Sequence, residues 1–311
     1  MPDNPFGFGA IRSLMRFQFL GTGTSAGIPM IGCSCPVCTS SDPRDRRLRT
    51  SAAIRFNDSA GQERIILLDA GPDLREQALR ANMQRCDGIF FTHNHVDHIF
   101  GLDEVRRFNA VMRSPIDIFA DDHTMDSLER VYKHIFERDK NVNDSFVATL
   151  IPHRVPSHAI EQGLAVERFG LRFTPISLLH GKLPVLGWRI DEARDEEKER
   201  RRDEVKTGYA TSSLRLSVSS SLVPLAYCTD MSAVPPQSWS RLRGLKTLVL
   251  DCLRDRKHPT HLTLEEAVNI ASEVGAERTY FVHMAHELPH AETQERLPEG
   301  MFLAWDGLEL M

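Results

Sequence analysis

The sequence predicts an α/β protein in which β-sheets are covered by helices. Apolar runs typical of buried strands alternate along the chain with stretches whose apolar residues recur at helical spacing. Several of the apolar runs end at or beside an aspartate or a histidine, namely Asp69, His93, His180, Asp230, Asp251 and His283. Strand ends in α/β proteins meet at one rim of the sheet, where sites usually lie. We therefore expect the functional residues at such a rim.

The individual strands and helices follow from these patterns in chain order. Runs rich in β-branched and aromatic residues predict strands at 16–20, 65–71, 89–95, 116–120, 173–180, 185–190, 225–230, 247–252, 280–283 and 302–310. Helical spacing predicts helices at 73–83, 97–110, 122–138 and 263–274. Thr263 fits the N-cap of the last helix, and Glu266 fits its capping-box partner.

The composition is that of a soluble globular protein. The 311 residues are 41% hydrophobic and 26% charged, enough for one large core or two modest domains. The net charge of -5 argues against wholesale attraction to nucleic acid. No apolar run of about 20 residues is present to span a bilayer, and the first residues lack the apolar region of a secretory signal. We expect a cytoplasmic protein, with residues 1–14 as a loosely held extension.

Two segments have patterns that admit more than one interpretation. Residues 191–206 have dense mixed charge and polar residues continue to Ser221, which predicts an exposed insertion over about 191–221. An RNA-binding arm is the alternative there, although acids alternate with the bases around Arg200 and Arg202 and cancel their field. The loop GTGTSAGIPMIG after the first strand could cradle a phosphate or provide a turn with positive φ.

The stretch DGIFFTHNHVDHIFGLDEVRRFN, residues 87–109, predicts a metal site at the end of a strand. His93 and His95 are two residues apart, so in an extended chain their side chains project to the same side. Asp97 and His98 follow in what the spacing indicates is the first turn of a helix. Imidazole and carboxylate together suit Zn, Mn or Fe better than Mg. A polar turn with incidental histidines is the alternative.

The cysteines divide into two groups. Cys33, Cys35 and Cys38 form a C-x-C-x-x-C cluster, three soft ligands that need a fourth for tetrahedral zinc; redox chemistry is the rival explanation. Three others lie near apolar runs and are expected to be buried small hydrophobic residues, namely Cys86, Cys228 and Cys252. Disulfides are not expected in a cytosolic chain of this size.

These residues resemble a known family. His93, His95, Asp97 and His98 stand as the HxHxDH signature of the metallo-β-lactamase superfamily, and GLDEVRRFN is similar to its branch of cyclic phosphate phosphodiesterases, which includes the phosphoribosyl 1,2-cyclic phosphate enzyme. The resemblance runs from Arg16 to the C-terminus. It implies an αβ/βα sandwich of two facing mixed β-sheets with helices outside, built as one domain over 15–311.

The resemblance also implies the ligands. His180 would complete a first metal with His93 and His95, His283 would join Asp97 and His98 at a second, and Asp230 would bridge the two divalent ions, Zn or Mn. Asp69 would stand behind the metals and fix a ligating histidine. His286 in HMAH would close the cysteine cluster as a structural zinc site.

The predicted activity is hydrolysis of a small cyclic phosphodiester by a metal-bridging hydroxide. Asp97 and His261 are the predicted catalytic residues, with His261 matching the family histidine that faces the substrate phosphate and able to protonate the leaving oxygen. Arg106 and Asn109, on the helix after the metal loop, are predicted either to support the metal ligands or to contact the substrate. The guanidinium of Arg106 could reach the phosphate, although a solvent-facing ion pair is an equal alternative for it.

Two other functions remain as alternatives. One is an RNA phosphodiesterase resembling the transfer-RNA 3′-end endonucleases, whose long basic arm has no counterpart between Asp97 and His180. The other is a non-catalytic zinc-stabilised interaction module. The expected partner is a small phosphodiester, with no membrane and no nucleic acid, and a homodimer is left open. Histidines without partners in the pattern are expected at the surface, namely His123, His134, His153, His158 and His290; His258 is either a rim residue or a substrate contact.

Overall fold

The computed structural model describes residues 15–58, 60–142, 145–193 and 222–311. Within them the chain forms two mixed sheets of seven strands each, as the sequence predicted. In the first sheet the spatial order is β14-β1-β2-β3-β4-β5-β6, with β1 Arg16–Gly21, β2 Ser51–Asn57, β3 Glu63–Leu68, β4 Gly88–Phe90, β5 Ile116–Asp121, β6 Leu150–Val155 and β14 Glu309–Leu310. In the second the order is β13-β12-β11-β10-β9-β8-β7, with β7 Val166–Arg168, β8 Leu171–His180, β9 Leu183–Glu192, β10 Leu225–Cys228, β11 Thr247–Asp251, β12 Arg278–Val282 and β13 Met301–Leu303.

Each sheet has an antiparallel half and a parallel half. Strands β3 to β6 run parallel in the first sheet, and β10 to β13 run parallel in the second. The carboxyl ends of parallel neighbours lie on the same edge of a sheet. This topology brings the residues after β3, β4, β10, β11 and β12 to a common rim.

The described part of the chain forms eight α-helices, most of which cover the outer faces of the sheets. They are α1 Leu74–Arg80, α2 Val96–Ile99, α3 Arg106–Met112, α4 Asp122–Val131, α5 Lys133–Phe136, α6 Ser157–Gln162, α7 Leu264–Val274 and α8 His290–Glu295. Apolar residues from α1 to α5 pack on the first sheet, and those of α7 pack on the second. The capping box predicted for α7 is present, because Thr263 and Glu266 each bond the other's backbone N–H. None of the described helices is long and apolar enough to cross a membrane.

The central core lies between the two sheets and is rich in aromatic rings. Phe90 of the first sheet stacks against Phe119 at 4.3 Å and against Phe173 of the second sheet at 3.9 Å between ring centroids. Trp188 is fully buried, and its indole N–H donates to the carbonyl of Phe91 at 3.0 Å. These contacts join the sheets directly beneath the loop that carries His93 and His95.

Several predicted boundaries were wrong. The strand predicted to reach residue 95 ends at Phe90, so both histidines of the HNH sequence lie in a loop. The helix predicted over 97–110 is broken into α2, a 3-10 turn at Leu102–Val105, and α3. The helix predicted over 122–138 breaks at Tyr132. Strand β9 runs to Glu192, so the charged insertion begins later than 191; residues 194–221 and the extension at 1–14 lie outside the described residues.

Candidate metal centre and hydrolytic site

The rim brings together all seven residues of the predicted metal centre. Asp97, His98, Asp230 and His283 each offer a ligand atom within 4.8 Å of the others, and His93, His95 and Asp230 form a second such group. His180 forms a third group with Asp230 and His261. The cluster opens to solvent at His95, which is exposed, whereas the other ligand residues are buried.

Asp230 occupies the position of a bridging ligand. Its Oδ1 lies 3.2 Å from His98 Nε2, and its Oδ2 lies 3.1 Å from His283 Nε2 and 3.8 Å from His93 Nε2. One carboxylate therefore faces the histidines of both groups. A carboxylate can bind two cations with its two oxygens, which an imidazole on the same spot cannot do.

The unpartnered atoms of the cluster fit bound cations. The Nε2 atoms of His93, His98 and His283 are buried and form no well-aligned hydrogen bond, although those of His98 and His283 lie 3.2 and 3.1 Å from the oxygens of Asp230. Buried polar atoms are normally satisfied, so a set of them facing a carboxylate indicates a missing partner such as an ion. Burial lowers the pKa of His93 well below its ordinary 6.5 and that of His180 to about 4, which keeps both imidazoles in the neutral form that binds metals. Histidine and carboxylate ligands suit Zn, Mn or Fe.

Asp69 orients the histidines from behind. Its fully buried Oδ2 lies 2.8 Å from His98 Nδ1, and its carboxylate accepts from the amide and hydroxyl of Thr92 at 2.8 and 2.9 Å. The same hydroxyl lies 3.0 Å from His93 Nδ1. Because these contacts engage Nδ1, they leave Nε2 of both rings free for the cluster.

The backbone at the rim is held in unusual conformations. Asp69, Asp230 and His283 have φ of 63°, 52° and 62°, in the left-handed region that residues other than glycine rarely adopt. Such strain persists only where the surrounding structure enforces it, and it concentrates at functional sites.

The turn after β3 packs tightly on α2, because a Cβ added to Gly71 would lie 2.0 Å from the carbonyl oxygen of Asp97.

His261 lies beside the cluster and is held by Asp251. The ring of His261 is 4.5 Å from that of His180 and 4.7 Å from that of His283. Its Nδ1 lies 3.0 Å from Oδ1 of Asp251, a fully buried carboxylate that also accepts the backbone N–H groups of Leu262 and Asp230. Sequence reasoning noticed Asp251 only as a strand end and gave it no role. The sequence does contain a signal for such a role, because Asp251 ends one strand and His261 shortly precedes the next helix.

The cysteine cluster is closed by His286, as the resemblance implied. His286 Nδ1 lies 3.3, 3.4 and 3.6 Å from the sulfurs of Cys33, Cys35 and Cys38. In a tetrahedral zinc site the separation between sulfur and nitrogen ligands is about 3.6 Å, from bonds of about 2.3 and 2.1 Å. Hydrogen bonding from the backbone N–H of Cys38 is the main cause that lowers the pKa of the half-buried Cys35 thiol to about 7, which favours its thiolate, whereas burial raises the pKa of Cys38 to about 11. These four residues therefore fit a structural zinc ion.

Comparisons with known proteins decide the family. A family model described as a beta-lactamase superfamily domain matches residues 64–284. The chain belongs to the metallo-β-lactamase superfamily. A solved structure of a new diphosphatase from the PhnP family is 37% identical, with a TM-score of 0.76 over 95% of this chain and 96% of that one. This similarity assigns the chain to the PhnP-like branch of the superfamily.

Two further similarities say less about this chain than the diphosphatase structure does. An octanoyltransferase of Porphyromonas gingivalis is 29% identical over 297 residues, 95% of this chain but 51% of that protein, so the chain spans about half the length of this curated relative. The Zn-bound PqqB structure from Methylobacterium extorquens is 19% identical with a TM-score of 0.67, over 95% of this chain and 99% of that one. At this identity the second similarity speaks for the fold alone.

Arg106 and Asn109 lie outside the cluster of predicted metal ligands. Arg106 forms an ion pair with Asp103 at 3.1 Å, and its side chain is 46% exposed. This is the solvent-facing ion pair that the sequence offered as the alternative to a phosphate contact. The carboxamide of Asn109 bonds the backbone of Ser114 and Thr149 with both its donors and its oxygen. Its role is to join α3 to the start of β5 and β6, so the substrate contact predicted for Asn109 was wrong.

The remaining histidines divide between surface and interior. His123, His134 and His158 are exposed, as expected. The expectation was wrong for His290, which is 1% exposed and packs edge-on against Trp305, and for His153, which is half-buried and bonded to Asp117 at 2.5 Å. Partners distant in sequence bury these two rings.

The glycine-rich loop is explained by close packing. A Cβ added to Gly21 would lie 2.0 Å from the carbonyl oxygen of Arg49, and one added to Gly23 would lie 2.8 Å from that of Arg47. These glycines let the loop approach the backbone at 47–49. Two other glycines of the same loop, Gly27 and Gly32, have φ of 63° and 74°, so the turn with positive φ that the sequence offered as one interpretation is present.

Proposed function

We propose that this hydrolase is a metal-dependent phosphodiesterase that cleaves a small cyclic phosphodiester similar to phosphoribosyl 1,2-cyclic phosphate. The observation that carries the proposal is the pair of His261 and Asp251 at the edge of the metal cluster. Two bound divalent ions would polarise a P–O bond and lower the pKa of a water molecule. His93, His95, Asp97, His98, His180, Asp230 and His283 would hold these ions.

His261 is suited to protonate the leaving oxygen. In the protonated imidazole both nitrogens carry hydrogen, and Asp251 holds Nδ1–H at 3.0 Å, which leaves Nε2–H for the substrate. After transfer, the neutral ring keeps its Nδ1–H on Asp251 and so keeps its orientation.

A general acid of this kind favours a diester over an anhydride as the substrate. Cleavage of an alkyl diester expels an alkoxide, a strong base that leaves well only with a proton. Cleavage of a diphosphate expels a phosphate group with a pKa of about 6, which departs without help. A diphosphatase activity is the second candidate, because the PhnP-family relative with 37% identity is described as a diphosphatase.

A panel of substrates tests the proposal. The full chain, loaded with Zn or Mn, would be assayed on cyclic nucleotides, phosphoribosyl cyclic phosphate, a nucleoside diphosphate and short RNA, with products separated by ion exchange. We expect hydrolysis of the cyclic diesters. Fast cleavage of the diphosphate alone would assign the second candidate, cleavage of RNA alone would assign the RNA enzyme, and no cleavage at all would favour a non-catalytic module.

The variant His261→Ala adds a mechanistic test. Loss of a general acid should lower turnover of a cyclic ribose diester about 100- to 10,000-fold without loss of metal. A p-nitrophenyl diester, whose leaving group needs little protonation, should be affected much less. His158→Ala, at an exposed histidine on α6, is the matched control and should behave as wild type. Equal losses on both substrates would assign His261 to phosphate binding instead.

A further inference from the structure

His258 stands at the outer end of a row of imidazoles that begins in the metal cluster. The ring of His261 stacks on that of His283 at 4.7 Å, and the ring of His258 lies 5.1 Å from that of His261. The exposed fraction rises along the row, from 1% at His283 to 8% at His261, and His258 at the outer end is only half-buried. His258 therefore faces the mouth of the site, beside the residue that meets the leaving oxygen.

Thr260 selects the tautomer of His258. The hydroxyl of Thr260 lies 3.1 Å from His258 Nδ1, and the backbone N–H of Thr260 points to the same atom at 3.4 Å. A backbone N–H can only donate, so Nδ1 is the acceptor and the proton of the neutral ring lies on Nε2. Burial is the main cause that lowers the pKa of His258, and the nearby His261 adds to it, so the ring stays neutral.

The loop that carries His258 is fixed on both sides. Arg254 and Arg256 both pair with Glu287, and the Arg254 carbonyl accepts the N–H of Leu264 at the start of α7. On the other side, a Cβ added to Gly181 would lie 2.8 Å from the methyl group of Thr260, so the loop packs on the residue after His180. A donor held this firmly is preorganised to bind.

We propose that His258 is a substrate-binding residue whose Nε2–H donates to an acceptor oxygen on the leaving group. The ring centroids of His258 and His261 are 5.1 Å apart, so this acceptor lies near the oxygen that His261 protonates. The inference rests on the proposed phosphodiesterase function and narrows it. The substrate is then a diester whose leaving group carries further oxygens, as a sugar or nucleoside does, rather than a simple alkyl diester.

Two cyclic diesters with alkoxide leaving groups test this. Adenosine 2′,3′-cyclic phosphate carries additional acceptors, and ethylene cyclic phosphate carries none on its leaving group. In His258→Ala we expect the KM for the nucleotide to rise about two- to tenfold, the effect of one neutral hydrogen bond, with kcat unchanged. Ethylene cyclic phosphate should be unaffected. His258→Gln retains an N–H donor and should restore much of the affinity, and Thr260→Val should give an intermediate loss.

The outcomes separate the two proposals. If wild type cleaves both diesters and His258→Ala affects them equally, or affects neither, this inference is overturned while the phosphodiesterase function stands. Loss of metal from His258→Ala would also overturn it, because His258 would then belong to the ligand shell. If wild type cleaves neither diester, the proposed function fails and this inference fails with it. His158→Ala again serves as the control.

Discussion

Replacing Asp251 by asparagine should uncouple His261 from its support while keeping the size of the side chain. The Asp251 carboxylate accepts three N–H groups, from His261, Leu262 and Asp230, at 3.0, 2.9 and 3.2 Å. An asparagine has one acceptor oxygen, and its NH2 group would face at least one of these donors. The loss of one bond to a charged acceptor costs about 1.5–3 kcal/mol, so the variant should fold but melt a few degrees lower.

The activity of Asp251→Asn should fall in the manner of His261→Ala. Without the carboxylate the ring of His261 loses the acceptor that orients its Nδ1–H. We therefore expect turnover of a cyclic ribose diester to drop about 100-fold, the lower end of the effect of a general acid. A p-nitrophenyl diester should lose much less. The double variant should be little worse than His261→Ala alone, because the two residues act as a unit.

The assay for this prediction is turnover of both substrates in wild type, both single variants and the double variant, with metal content measured in each. Wild-type activity of Asp251→Asn on the ribose diester would refute the reasoning, since His261 would then act without its carboxylate. Multiplicative losses in the double variant would also refute it. Lost metal would show that Asp251 acts through Asp230, whose N–H it accepts.

Three further predictions concern the metal sites and their scaffold. Asp230→Ala should abolish turnover and release at least one active-site metal, measured by metal analysis, with the fold retained because Asp230 lies at the rim rather than in the core. Cys35→Ser should release one zinc per chain and lower the melting temperature, because structural zinc contributes folding energy. Gly71→Ala should weaken active-site metal affinity in a metal titration, because its Cβ would displace the carbonyl of Asp97 at 2.0 Å and shift α2.

Each of these predictions has a contradicting result. Activity in Asp230→Ala would exclude a mechanism that depends on two bridged metals. An unchanged zinc content and melting point in Cys35→Ser would exclude the cysteine metal site, and Ser34→Ala, at an exposed residue of the same loop, is the matched control. Wild-type metal affinity in Gly71→Ala would mean that α2 accommodates the methyl group elsewhere.

The sequence could predict the site because its chemistry is concentrated in short motifs and at strand ends. The HxHxDH pattern places four potential ligand residues within six positions, and aspartate or histidine recurs where apolar runs stop. Once the sheets align the strands, those residues converge. The left-handed backbone of Asp69, Asp230 and His283 leaves no such trace in the sequence, since it is imposed by tertiary contacts.

The strands and helices that the sequence did not predict lack a regular spacing of apolar residues. Strand β2 is buried on both faces over six successive residues, so it shows no alternation. Edge strand β6 exposes Ile151 and contains Pro152, which removes the pattern of a half-buried strand. The helices α6 and α8, of six residues each, are too short for a helical stripe. Asn109 was misassigned because the backbone groups of Thr149 that it binds lie 40 residues away.

The segment from His283 to His286 belongs to two metal sites at once. His283 faces Asp230 in the hydrolytic cluster and His286 faces the three cysteines, while Met284 between them is bonded to both Thr22 and Thr24. An ion that orders this segment at one end reduces the entropy still to be lost at the other. Because such coupling is reciprocal, filling either site should tighten the other. Metal loading would then be cooperative, and few chains would carry an ion at only one of the two candidate sites.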